Sequence, residues 1–172
     1  SNAAAGDSAP NVNIDFAGAS SIHVPNSEDG QLAEELSAVA QLFVSSNNQN
    51  KVAFIDILED NCFAQNSFFT YTNDADGIYY NSNSDMLFQV NRMNNSILRL
   101  DGVVPAITTS GQPPYGASVG GGFTNGRELA ASNGMLIVAD DANDANNQTN
   151  SFFKYLNDGG NMTFVGKCVT NI

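Results

Sequence analysis

The sequence predicts an all-β fold assembled from repeated units of four short antiparallel strands, and three observations predict it. Short runs of β-branched and aromatic residues recur along the 172-residue chain, each bounded by Asn, Ser, Asp or Gly. Such residues hydrogen-bond their own backbone or tolerate left-handed conformations, and so favour turns. The stretch from Asp76 to Asp101 (DGIYYNSNSDMLFQVNRMNNSILRLD) holds three of these runs: Gly77 to Tyr80, Met86 to Val90 and Ser96 to Leu100. The same unit recurs on either side of it. Leu87-Phe88, Ile97, Leu100 and Asp101 fall without a gap on Leu42-Phe43, Val52, Ile55 and Asp56. Asp76-Gly77 and Met86-Leu87 fall on Asn125-Gly126 and Met135-Leu136.

In chain order, residues 1–11 lack periodicity and read as a flexible leader, and residues 12–172 as a single β-repeat domain. Val12 to Phe16 and Ser21 to Val24 alternate apolar and polar residues, the period of a half-buried strand. His23 then reads as a solvent-facing strand residue. Gln31 to Ala40 carries Leu32, Leu36 and Val39 at helical spacing, so it is either a short helix or a degenerate first strand. From Gln41 the pattern is β: Leu42 to Val44, Val52 to Leu58, then Ser67 to Thr72. After the central unit, Val103 to Thr108 reads as a strand that Pro105 confines to an edge or an end. Residues 109–126 (TSGQPPYGASVGGGFTNG) read as a long Gly/Pro loop. The last unit comprises Glu128 to Ala131, Met135 to Ala139, Ser151 to Leu156 and Met162 to Val169, with Asp140 to Asn150 inserted at its middle turn.

A small sheet of this kind cannot bury both faces alone, and stacking successive sheets does so, which is the logic of propellers and solenoids. The blade-like units expected are about 31–72, 76–108 and 125–170, with a β-sandwich as the alternative. Three blades do not close a ring. The chain is therefore expected either to be part of a longer propeller or to form a homodimer that closes a six-bladed ring.

Eighteen acidic against six basic residues give a net charge of −12. That argues against nucleic acid and anionic membranes, both of which need clustered Lys and Arg. It suits solubility or divalent cations. No apolar run approaches the length of a membrane span. Ser1-Asn2-Ala3 reads as the remnant of a cleaved expression tag, and the Asn- and Ser-rich, Lys-poor composition as that of a secreted or bacterial-type envelope protein whose leader was removed. Cys62 and Cys168 form the disulfide candidate, with two separate thiols the alternative.

The central stretch, with its Gly-Ile strand, its Leu-Phe-Gln-Val-Asn strand, its NN turn and its Ile-Leu-Arg-Leu-Asp strand, resembles a blade of the NHL and YVTN-type β-propellers. Residues 41–57 (QLFVSSNNQNKVAFIDI) and 125–156 are similar, although Ser46 stands where Asn91 and Asp140 end the second strand elsewhere. The resemblance implies a propeller scaffold, on which the loops before first strands and those between second and third strands share one face. Those loops carry Asp74 and the ligand-binding candidates Asp76, Asn91, Arg92, Asn125, Arg127 and Glu128. They also carry Asp140, Asp141 and Asp144 as candidate Ca²⁺ ligands, since hard cations take several oxygens at once. The DDANDANN loop is not an EF-hand, because Phe152 stands where the bidentate Glu belongs. No catalytic residue is nominated: there is one His, and no G-x-S-x-G or phosphate loop occurs. The expectation is a non-catalytic module binding a protein, glycan or small molecule. The alternatives are a metal-dependent, lactonase-like hydrolase, implied by the resemblance, and a purely structural repeat segment.

Overall fold

The computed structural model describes residues 19–23, 38–46, 50–58, 63–69, 75–109, 113–141 and 150–170. They form three four-stranded antiparallel sheets, each a meander in sequence order. Sheet 1 contains β1 (Ala19–His23), β2 (Ala38–Ser46), β3 (Lys51–Leu58) and β4 (Phe63–Phe69). Sheet 2 contains β5 (Ala75–Asn81), β6 (Met86–Asn91), β7 (Ser96–Asp101) and β8 (Tyr115–Gly121). Sheet 3 contains β9 (Gly126–Ser132), β10 (Met135–Asp140), β11 (Ser151–Asp158) and β12 (Asn161–Val169). The expected all-β fold of blade-like sheets is what the chain adopts. Among the described residues no helix is long and apolar enough to cross a membrane.

The sheets stack in order through two cores. Phe43, Val52 and Phe54 of sheet 1 meet Ile78, Tyr80, Leu87, Leu98 and Leu100 of sheet 2, all buried. On the other side of sheet 2, Phe88, Val90 and Ile97 meet Leu136, Val138, Phe153 and Tyr155 of sheet 3. This explains why β6 reads as a nearly continuous apolar run rather than an alternating one: it is covered on both faces. The first strands β1, β5 and β9 lie side by side, and β8 lies near β12.

The repeat fixes the turns as well. Asn50 and Asn95, equivalent positions of sheets 1 and 2, both adopt positive φ (52° and 50°) at the β2–β3 and β6–β7 turns. Asn tolerates that conformation better than most residues. The repeat also fixes the close approach between first strands. A Cβ on Gly77 would stand 2.6 Å from Leu129 N and 2.7 Å from Glu128 C, so the β5 backbone runs directly against that of β9. Its counterpart Gly126 is held to glycine by the ring of Phe123, 2.7 Å from where a Cβ would be.

Three expectations are corrected. Val103–Thr109 is a short helix, α1, not a strand. Its β-branched residues favour a strand locally, but Asp85 overrides them: its Oδ1 accepts the Val104 N–H at 3.1 Å and its carbonyl accepts the Val103 N–H, capping a helix start. Pro105 falls in the first turn, where its missing N–H costs nothing. Val103, Val104 and Ile107 then bury against the first core. Second, the fourth strand of the central unit is β8, inside the presumed 109–126 loop, so that unit runs from Ala75 to Gly121 rather than 76–108. Third, the first unit opens with β1 at Ala19, well before residue 31, and the chain is already in β2 from Ala38. The strand expected at Val12 to Phe16, the helical spacing before Ala38, Asp74, Asp144 and Cys62 lie outside the described residues.

Candidate functional site

The candidate residues gather at one end of the stack, where the start of β5 and the residues leading into β9 meet the β6–β7 turn and the end of β10. Each first strand carries a register irregularity at this end: between Ala19 and Ser21, between Ala75 and Ile78, and opposite Ala139 and Asp140. In β9, Gly126 pairs with Asp140 and Glu128 with Ala139, which leaves Arg127 as the extra residue. In β5, Asp76 and Gly77 are the extra pair. Bulges of this kind re-aim a side chain, and here they turn Asp76 and Arg127 towards each other across the seam between sheets 2 and 3.

A charged network results. The buried carboxylate of Asp76 stands 3.3 Å from Arg92 Nε and 3.7 Å from Arg127 Nη1. Arg127 Nη2 stands 3.5 Å from Asp141. Arg92 Nε also donates to Asn125 Oδ1 at 3.2 Å, and Asn125 Nδ2 donates to the Asp141 carbonyl at 2.7 Å. Six of the predicted positions (Asp76, Arg92, Asn125, Arg127, Asp140 and Asp141) are thus brought into one cluster. Asn91 takes a turn-forming role instead, its Oδ1 accepting the Asn94 N–H at 3.3 Å. Glu128 is exposed beside the bulge.

Asp140 is committed to the fold. Its two carboxylate oxygens accept the N–H groups of Thr124 (3.1 Å) and Asn125 (2.6 Å), pinning the loop that leads into β9. Asp141, the neighbouring candidate cation ligand, is paired with the Arg127 guanidinium. Among the described residues there is no group of three His, Cys, Asp or Glu placed to share a metal ion. Cys168 is an exposed free thiol on β12.

Beside Arg127 lies a cavity of about 210 Å³ whose lining includes Asp140, Asp141, Asn150, Phe152 and Thr170. Sequence reasoning missed Asn150, Phe152 and Thr170. Asn150 ends the insertion and Phe152 follows it, and Thr170 joins them because its N–H and hydroxyl both donate to the Asn150 carbonyl, at 2.8 and 2.9 Å. The alternation of β11, with Phe152 exposed and Phe153 buried, is the signal that marks Phe152. The 3.5 and 3.7 Å approaches of Arg127 to its carboxylates are ion-pair distances, longer than good hydrogen bonds, so its donors remain open to a further acceptor. A space this small suits one functional group rather than a whole drug-sized molecule.

Fold and site together define a class, an all-β stack of blade-like sheets with a charged rim at its loop end. No protein family and no curated protein matches the chain. Among solved structures it is similar to a functionally unknown protein from Desulfotomaculum acetoxidans DSM 771, with a TM-score of 0.55 and 15% identity. That match covers 77% of this chain and 39% of the other. It is also similar to hydrazine synthase of Kuenenia stuttgartiensis, with a TM-score of 0.46 and 12% identity, over 93% of this chain and 51% of that one. The chain spans less than two thirds of either neighbour, and the first likeness is one of fold.

Proposed function

We propose that this chain is a non-catalytic binding module of a secreted or envelope protein, an NHL-like blade scaffold whose loop rim takes a ligand. The observation that carries this reading is Arg127: a bulge aims it, Asp76 and Asp141 hold it, and its remaining donors open beside the cavity. A planar guanidinium with free donors suits a carboxylate or paired hydroxyls, and Phe152 offers an aromatic face next to it. The ligand is then a protein, glycan or small molecule that presents such a group. Among the described residues, Asp76 and Asp141 are paired with arginines and Asp140 accepts two backbone N–H groups, an arrangement suited to holding Arg127 in place.

Saturation-transfer NMR against sugars, short peptides and small carboxylates tests the reading, with the Arg127→Ala variant alongside. Binders that lose their signal in that variant support it. Binding that persists unchanged in the variant, or no binder in any of the three groups, contradicts it. Chelator-sensitive lactone hydrolysis abolished by Asp141→Asn would establish the hydrolase instead.

A further inference from the structure

The charge of the rim discriminates among ligand classes. Three carboxylates (Asp76, Asp140 and Asp141) against two guanidinium groups (Arg92 and Arg127) leave one net negative charge, in a chain of −12. An anionic ligand meets net repulsion there, whatever its contact with Arg127. A neutral ligand does not. Hydrogen-bonding capacity narrows the class further. The Arg127 guanidinium has only donors, and the Asp141 carboxylate, 3.5 Å from it and 45% exposed, has only acceptors. Both residues line the cavity. A hydroxyl donates and accepts at once, so two neighbouring hydroxyls match the pair, one accepting from Arg127 and the other donating to Asp141. A peptide carbonyl or N–H satisfies one of the two and leaves the other unmatched. Asn150, on the same wall, adds an amide with both capacities.

The remaining wall is aromatic. Phe153 packs in the core between sheets 2 and 3, its ring engaged by Phe123, Phe164 and the ammonium of Lys167. Its neighbour Phe152 points to the other face of β11, lines the cavity and is 44% exposed. An exposed ring of this kind gains by covering its face with C–H groups. A pyranose has both characters, hydroxyls around its edge and C–H groups on its face. The cavity, about 210 Å³, lies below the range of drug-sized sites and takes one ring rather than a chain of them.

We infer that the rim cavity takes a single neutral sugar ring, its face against Phe152 and two adjacent hydroxyls shared between Arg127 and Asp141. The inference rests on the binding role proposed for the rim, and narrows its ligand to an uncharged saccharide. A ring of about twelve heavy atoms, at the efficiency of ordinary ligands, binds with a dissociation constant on the order of millimolar. The ligand is uncharged, so added salt leaves that affinity nearly unchanged.

Saturation-transfer NMR on the full chain tests it, with the methyl glycosides of glucose, galactose and mannose as neutral probes and glucuronate, acetate and a blocked tripeptide as rivals. At least one neutral glycoside is expected to bind, with the strongest saturation on its ring C–H protons and little change between low and high salt. Phe152→Ala should weaken that binding about tenfold, and Phe152→Tyr, which restores the ring, should return most of it. Circular dichroism checks that both variants keep the parent fold, as the exposure of Phe152 predicts. Glucuronate, acetate or tripeptide binding that Arg127→Ala abolishes, with no neutral glycoside bound, would overturn this inference and leave the binding module standing. No probe bound at all would overturn both. Glycoside binding that Phe152→Ala leaves unchanged would overturn the inference as well.

Discussion

Replacing Gly77 by Ala adds one methyl group at the point where β5 runs against β9. The new Cβ would sit 2.6 Å from Leu129 N and 2.7 Å from Glu128 C, against the Glu128 Cα as well. An ordinary carbon contact is about 3.5–4.0 Å, so the strands must part by close to 1 Å. All the obstructing atoms are backbone, which cannot rotate away as a side chain can. Overpacking of this kind costs about 1–3 kcal/mol, and the upper part of that range applies here. For a chain of this size 3 kcal/mol corresponds to a melting point lower by roughly 6–12 °C. Urea unfolding followed by tyrosine fluorescence, which no Trp obscures, measures the loss. Gly166→Ala on β12 is the control, because a Cβ there meets nothing within 4 Å. Equal stability of the two variants would refute the backbone contact between sheets 2 and 3.

Three further outcomes follow from the hydrogen bonds and burial. Asp85→Ala removes the acceptor of both the Val104 N–H and the Tyr80 hydroxyl (2.8 Å) and should cost about 1–3 kcal/mol; Asp85→Asn keeps an acceptor and tolerates the positive φ of 49°, so urea midpoints should place it nearer the parent. Burial first, and the charge of Asp140 second, push the Tyr155 phenol from 10.0 up to about 12. A raised acid favours the fold in its neutral form, so this contribution is intact below pH 10 and is lost as the pH rises towards 12; NMR titration of the assigned ring should show the late midpoint, and an earlier one in Asp140→Asn. Ser151→Ala should be neutral or slightly stabilising in thermal melts, because the buried Ser151 hydroxyl has no hydrogen-bond partner among the described residues.

The repeat was legible because it lies in side chains. Leu42-Phe43, Leu87-Phe88 and Leu136-Ile137 align, and each pair straddles its sheet. The rim was legible for a related reason: Asp, Asn and Arg cluster at the ends of those strands, and the fold brings Asp76, Arg92, Asn125 and Arg127 together. What was not legible depends on partners remote in sequence. Val103–Thr109 has strand-forming residues but takes a helical start from Asp85, eighteen residues before it. β8 is nearly devoid of large side chains and is held by its ladder to β7 and by the Tyr155 hydroxyl on the Gly121 carbonyl at 2.6 Å. The sequence marks Asp140 by its type as a cation ligand; its role in pinning the Thr124 and Asn125 N–H groups depends on a loop fifteen residues before it and becomes visible only in the fold.

The rim exists only because sheets 2 and 3 stack with their first strands backbone to backbone. Nuclear Overhauser contacts on the isotope-labelled chain measure that stacking most directly. Cross-peaks between the Gly77 α-protons and the Glu128 and Leu129 backbone, together with peaks between the Tyr155 ring and Gly120, are the predicted result. Complete ladders within each sheet, without those contacts between sheets, would contradict the stack and the site built upon it.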